Sequence, residues 1–160
     1  MDSEKQVITL RKQSLQVTVY LIAVTLPAFF LGYFLLGFTN RMMFLLAVAL
    51  IGFSGSGVAA LTSCLDRYAK GFELEDGTKV PAEAKGETFN SRMLRWFYVR
   101  PFLGFLVGPV TIWGIEFLVK DATAFRDTTP HLAFSAFLGG LLAKSILDLI
   151  KGLFKNVFHS

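Results

Sequence analysis

The chain has 160 residues with a formal charge of +4, and 53% of its residues are hydrophobic while only 18% are charged. An average soluble domain carries about 25% charged residues, and here long stretches carry none, which excludes an ordinary soluble domain and indicates an integral membrane protein. The basic residues lie beside the apolar stretches, where they control topology, so we expect no direct nucleic-acid binding.

Few residues of this chain are suited to chemistry. Cys64 is the only cysteine and therefore cannot form an internal disulfide, and together with His131 and His159 it makes a poor zinc ligand set. None of the metalloprotease, serine-hydrolase or Cys-His catalytic patterns occurs. The sequence therefore predicts a non-enzymatic protein without a metal or cofactor.

A first transmembrane hairpin is predicted over residues 15–65, after a polar N-terminal tail at 1–14. Leu15 to Phe38 carries no charge and is long enough to cross about 30 Å of hydrocarbon at ~1.5 Å per residue. A signal peptide is the competing interpretation, but no small-residue cleavage site follows the apolar run. Met42 to Leu65 forms the second span, and the short connection predicts an antiparallel pair.

Residues 66–96 form the only sizeable hydrophilic segment. Phe72 to Val80 alternates apolar and polar residues around Asp76-Gly77, which predicts a β-hairpin with a type I′ turn. Such a hairpin is marginal alone, so we expect it to lean on a neighbouring element. Thr88 to Tyr98 has the pattern of an amphipathic helix lying at the membrane interface.

A second transmembrane hairpin is predicted over residues 97–160. Phe97 to Val119 forms the third span, and Thr129-Pro130 supplies a capping residue and a first-turn proline for the fourth helix. That helix is expected to run to about Val157 and to project beyond the bilayer. The predicted fold is thus an all-α integral membrane protein, a four-helix bundle with a small hairpin and an interfacial helix between helices 2 and 3.

Lysines and arginines predict the orientation. Three lie in the N-terminal tail, seven in residues 66–100 and three in the second half of the fourth helix, against three in the two opposite loops. The positive-inside rule places both termini and residues 66–96 in the cytoplasm. We expect the protein in a plasma membrane, as in the inner membrane of bacteria.

Small residues recur at helical spacing on three of the four predicted helices, where they let backbones approach closely. Glycines near a serine also suggest a phosphate loop, but the Lys-Ser/Thr ending is missing. Because these faces exceed what a loose bundle needs, they predict tight packing and a self-association surface, with a pore or ligand lining as the alternative. They are Gly52, Ser56, Ala59 and Ser63; Gly104 and Gly108; and Ala133, Ala136, Gly140 and Ala143.

Ionisable side chains within spans are costly in lipid and often functional. Two groups are candidates for a polar lining or a docking stripe: Lys144, Asp148, Lys151 and Lys155 on the fourth helix, and Glu116 on the third. Lys144 has Asp148 one turn later as a possible partner. The alternative is that both groups mark the membrane boundaries, where lysines extend to the headgroups.

Our leading hypothesis is a self-associating inner-membrane subunit that anchors or signals to a cytoplasmic partner protein through residues 66–96 and the inner end of helix 4. Its expected partners are the lipid bilayer, a second copy and that protein. An oligomeric ion channel or membrane-permeabilising effector of a bacterial defence or stress system is the alternative, and an enzyme or transporter acting on lipid or a small solute is a third. The expected partner surface comprises Phe72, Leu74, Asp76, Gly77, Arg92 and Arg95.

Overall fold

A computed structural model describes residues 3–38, 40–118 and 129–149, and these are mostly helical. By length and composition, three helices could cross a membrane, or four if a bent pair near the C-terminal end is one span. This confirms the prediction of apolar helices of membrane-spanning length. The helices are α1 (Ser3–Leu35), α2 (Arg41–Lys70), α3 (Leu94–Leu118), α4 (Thr129–Leu141) and α5 (Ala143–Leu149).

The first helix is longer than a bilayer requires. It begins at Ser3, so the predicted polar tail is helical from that residue, and it continues without interruption past Pro27. Its 33 residues span about 50 Å at ~1.5 Å per residue, against about 30 Å of hydrocarbon. The extra turns are held by packing, because Leu10 and Ser14 are buried.

The second helix is the centre of the bundle and packs against α1, α3 and α4. The Asn40 side chain caps it by accepting a hydrogen bond from the Met42 amide at 2.9 Å. Two serines tie it to its neighbours: Ser54 donates to the Thr25 carbonyl at 3.0 Å, and Ser56 donates to the Arg100 carbonyl at 2.7 Å. Both serines are buried, so these bonds satisfy hydroxyl groups that have no access to water.

Three helices meet at glycines, a contact that we call the glycine junction (Gly52, Gly104, Gly108 and Gly140). A Cβ added to Gly52 would lie 2.8 Å from the Gly108 Cα, and one added to Gly108 would lie 2.7 Å from the Val48 carbonyl oxygen. A methyl group on Gly140 would overlap the Gly52 carbonyl. The small-residue stripes of α2, α3 and α4 therefore contact one another within the chain.

The predicted hairpin exists, but its predicted type I′ turn is wrong. Strand β1 (Phe72–Glu73) pairs antiparallel with β2 (Lys79–Val80). A type I′ turn needs positive φ at both central residues, whereas Gly77 has φ +85° and no non-glycine residue in the described segments has positive φ. The Gly77 amide instead bonds to the Leu74 carbonyl at 3.0 Å, as in a three-residue loop that ends on a left-handed glycine.

The predicted helix over Thr88 to Tyr98 is helical only from Ser91, and it is continuous with α3 instead of forming a separate element. Phe89 is extended and forms an isolated parallel bridge with Phe72. A short 3-10 turn at Ser91–Met93 then leads directly into α3. The physical reason is the cap: the Asn90 side chain accepts a hydrogen bond from the Met93 amide at 3.2 Å and starts the helix there.

The fourth helix is not continuous, contrary to expectation. It breaks at Leu142, and α4 and α5 differ in direction by 59°. Two adjacent glycines, Gly139 and Gly140, precede the break, and glycine pairs are a common cause of kinks. The predicted extension to Val157 passes beyond the described residues at Leu149.

We predict that the glycine junction limits stability. Gly140→Val should lower the free energy of unfolding by about 1–3 kcal/mol or more, because its side chain meets the Gly52 backbone, which cannot move away. Gly114→Val is the matched control, since a Cβ there meets nothing within 4 Å. Thermal unfolding of both variants in the same mild detergent checks this, and equal melting temperatures would contradict it.

Candidate functional site

Residues 71–93, which we call the platform, fold onto one end of the bundle and are not a free loop. Their side chains join a core with all three long helices: Leu10, Val17 and Leu21 of α1, Ala60 and Cys64 of α2, Leu74 and Phe89 of the platform, and Phe97 of α3. Phe89 is fully buried, and its ring stacks on that of Phe97 with centroids 6.1 Å apart. The expectation that the hairpin leans on a neighbouring element is confirmed.

Main-chain bonds also hold the platform. The Glu73 amide donates to the Phe89 carbonyl and the Phe89 amide donates to the Gly71 carbonyl, both at 2.9 Å. Gly71 ends α2 with φ +115°, and a Cβ there would lie 3.0 Å from Pro81 Cδ. Only glycine suits this position, where the chain leaves the helix and enters the first strand.

Arg67 links the end of α2 to the far side of the platform. Its guanidinium donates to the Met93 sulfur at 2.7 Å and forms an ion pair with Glu87. The Arg67 side chain is only 12% exposed, whereas the Glu87 side chain is 74% exposed. From the sequence, Arg67 was only one of the seven basic residues of 66–100 that predict the orientation. In the structure it links two segments of the platform to the end of α2.

The outer face of the platform carries a polar cleft of about 480 Å³. Of the expected partner surface, Asp76, Gly77, Arg92 and Arg95 are exposed and Phe72 is half-buried. Leu74 is only 6% exposed and belongs to the core, so it offers little of its side chain to a partner although it also lines the cleft. The cleft is lined by Glu73, Leu74, Glu75, Asp76, Gly77, Asn90, Ser91 and Arg92.

Asp76 is held in its charged form at the tip of the cleft. The Thr78 backbone amide donates to its carboxylate at 2.9 Å, and this bond, with help from the Thr78 side chain, lowers the pKa of Asp76 from its ordinary value. The platform therefore offers a fixed negative charge at neutral pH. Arg92, in the segment that leads into α3, adds a positive charge to the lining.

The charged stripe near the C-terminal end is partly described. Its residues Lys144 and Asp148 are exposed on α5, and the other ionisable candidate, Glu116 on α3, is half-buried. Of the small residues predicted to pack, Ala136, Gly140 and Ala143 are buried, and Ala59 and Ser63 are half-buried. Lys151 and Lys155 lie outside the described residues.

The position of Lys144 along the bundle follows from the glycine junction. Gly140 contacts Gly52, which lies about 17 Å along α2 from its start at Arg41, at ~1.5 Å per residue. Lys144 follows Gly140 by about one turn, after a bend of 59° between α4 and α5, so it lies near the level of Gly52 in the bundle.

Two features were missed in the sequence. Arg100 is half-buried, and within the described chain its Nε has no hydrogen-bond partner. An apolar groove of about 450 Å³ also lies between α1, α2 and α4, with Thr25, Phe29 and Phe137 among its lining residues. Neither could be predicted, because each depends on which helix faces are neighbours.

Across residues 3–38, 40–118 and 129–149, no cluster of three His, Cys, Asp or Glu side chains could hold a metal ion. A comparison with protein-family models found no match, and comparisons with curated proteins and with solved structures found none either. The function must therefore be argued from the surfaces described above.

We predict that Phe89 fastens the platform. Phe89→Ala should weaken this packing by about 3–5 kcal/mol, which corresponds to at least a hundredfold faster exchange of the Glu73 and Phe89 amides. Phe117→Ala, at a side chain that is 91% exposed, should change neither amide. Hydrogen exchange of the lipid-reconstituted protein measures both, and unchanged exchange in Phe89→Ala would show that other contacts hold the platform.

Proposed function

We propose that this chain is a non-enzymatic membrane subunit that self-associates and presents its platform to a cytoplasmic partner protein. The observation that carries the proposal is the division of the platform into two faces. Its inner face is fastened to the bundle core through Leu74 and Phe89, while its outer face carries an exposed polar cleft. A surface of this kind is suited to docking.

Pre-ordering favours docking at the cleft. A flexible loop loses conformational freedom when it binds, at a cost of about 1–2 kcal/mol per ordered backbone residue. The platform is already ordered by the paired main-chain bonds between Glu73, Phe89 and Gly71. A partner therefore meets a surface that needs little further ordering.

The charges of the cleft suggest the chemistry of the partner. The hairpin contributes Glu73, Glu75 and Asp76 to the lining, and the segment that leads into α3 contributes Arg92. Charge complementarity favours a basic protein segment that carries an acid at one end. Such a pattern selects a partner mainly by excluding segments of the wrong charge.

Topology supports a cytoplasmic position for the platform. Leu10 of α1 packs in the same core as Leu74 and Phe89, so the start of α1 and the platform lie at the same end of the bundle. That end carries the excess of lysine and arginine, which the positive-inside rule assigns to the cytoplasm.

Self-association is supported by the position of Lys144 and Asp148. Both side chains are exposed although they follow the break near the middle of the bundle. Charged groups facing hydrocarbon are costly, and a second copy could bring Lys144 of one chain to Asp148 of the other. A water-filled space around the same residues is the structural basis of the channel alternative.

A pull-down that measures how much cytoplasmic partner protein the chain captures tests the docking role. Asp76→Lys combined with Arg92→Glu reverses the charge at both positions and should reduce partner capture by the full chain at least tenfold, because the partner then meets like charges there. Glu83→Lys with Lys85→Glu is the matched control at exposed platform residues outside the cleft. Substitution is preferable to deleting residues 70–90, which would remove Leu74 and Phe89 from the core. Equal capture by both double variants would refute docking at the cleft.

Ion flux and complex mass separate the two functions. The docking role predicts an oligomer in mild detergent and no ion flux in proteoliposomes. A channel predicts flux whose ion selectivity changes in Lys144→Ala and stays unchanged in Lys85→Ala, a lysine on the platform. A complex with the mass of a monomer would refute self-association. Ion-selective flux would show that the chain is a channel and would contradict the docking role.

A further inference from the structure

A second groove lies between α1 and α2 at the platform end of the bundle. It has a volume of about 480 Å³, and its walls differ in character along their length. Arg11 and Lys12 lie towards the start of α1, together with Tyr68 near the end of α2. Leu15 and Leu65 continue the groove towards the centre of the bundle. The groove therefore has a cationic end, which Ile8 also lines, and a more apolar end, where Leu15 and Leu65 lie beside Ser14 and Thr18.

This change of character coincides with the expected membrane boundary. α1 carries no charge from Leu15 onwards, and α2 carries none between Met42 and Leu65, after which Asp66 begins a charged end. Leu15 is 63% exposed and Leu65 is 46% exposed, so the apolar walls are open at the side. An occupant would have its polar part at the headgroups and its apolar part in the hydrocarbon.

The two cations are not used within the described chain. Arg11 and Lys12 are exposed, and neither forms a side-chain hydrogen bond or an ion pair with a described residue. The nearest acids along the same helices are Glu4, two turns before Arg11, and Asp66, which pairs with Lys70 at 2.7 Å. A positive pair is thus open to an external anion.

We propose that this groove binds an anionic phospholipid. The phosphate lies against Arg11 and Lys12, and an acyl chain lies along Leu15 and Leu65. Basic pockets between transmembrane helices next to a membrane surface are suited to anionic headgroups. The acyl chain covers Leu15 and Leu65 much as the surrounding lipid would, so the charge of the headgroup provides the selectivity. A soluble phosphate would use only the cationic end and leave the apolar walls uncovered.

Charge also argues against the end of this chain as the occupant. Residues 150–160 contain Lys151 and Lys155 and no acidic residue, so their charge repels the cationic end of the groove. An acidic segment of a second copy remains the main competitor, and the experiment below separates it from lipid. The site is independent of the cleft on the platform, because the two share no lining residue.

The position of the groove gives the bound lipid a structural role. Leu10 and Ser14 lie next to the two cations in sequence, but their side chains are buried, and Leu10 belongs to the core that holds the platform. The headgroup would therefore hold the same turns of α1 on which the platform rests.

Lipid binding by the full chain in a neutral detergent tests the proposal. The probes are dioleoylphosphatidylglycerol, dioleoylphosphatidylcholine and sn-glycerol 3-phosphate, with binding followed by native mass spectrometry. We expect phosphatidylglycerol to bind at least tenfold more tightly than phosphatidylcholine, and glycerol phosphate to bind weakly. Arg11→Gln with Lys12→Gln should reduce phosphatidylglycerol binding to the phosphatidylcholine level. Arg41→Gln with Lys85→Gln, the same charge change at exposed residues that line neither the groove nor the cleft, should leave it unchanged.

Four results would overturn the proposal. Equal affinity of the wild-type chain for the two lipids would remove the need for a cationic site. An equal loss of phosphatidylglycerol binding in both double variants would show that only the net charge of the chain matters. Tight binding of glycerol phosphate would indicate a soluble anion as the ligand. Dissociation of a lipid-free dimer by Arg11→Gln with Lys12→Gln would identify a second copy as the occupant.

Discussion

The close approach of three helices at the glycine junction is the constraint on which the rest of the structure depends. Between helices in lipid there is little hydrophobic driving force, so association relies on dense packing and on a few hydrogen bonds. Gly52, Gly108 and Gly140 permit that packing because their backbones touch directly. Ser56, one turn from Gly52, adds its bond to the Arg100 carbonyl at the same interface. The positions of α3 and α4, and with them the two ends of the bundle, follow from this contact.

The junction also changes the basis for self-association. The sequence suggested it because three small-residue faces exceeded the needs of a loose bundle, but those faces contact one another inside the chain. Self-association is supported instead by Lys144 and Asp148, which become exposed where the glycine pair breaks the fourth helix. Small residues thus have two effects here: they allow close packing on one side of the helix, and they weaken its continuity.

Local patterns predicted much of the fold, whereas features that depend on neighbouring elements could not be predicted. Uncharged apolar runs predicted the spans, and alternation around Asp76-Gly77 predicted the strand pairing. The predicted type I′ turn was wrong because an Asp-Gly pair also fits a three-residue loop in which only Gly77 has positive φ. The amphipathic pattern before Phe97 suggested a separate helix, but the Asn90 cap and burial of Phe97 make those residues the first turns of α3. For the candidate site, exposed charges were predicted, whereas the burial of Leu74 and the role of Arg67 depend on packing across the chain.

The uninterrupted length of α1 has a mechanical consequence. This single helix extends from the far side of the bundle, where it ends at Leu35, to the platform, where Leu10 is buried. An apolar stretch that is longer than the hydrocarbon is thick adapts by tilting. The charge-free part of α1, Leu15 to Leu35, spans about 32 Å at ~1.5 Å per residue, so a membrane thinner than about 30 Å requires it to tilt. Since the platform packs against α1, the angle between the platform and the membrane surface changes with that tilt. We therefore expect membrane thickness to influence the orientation of the platform.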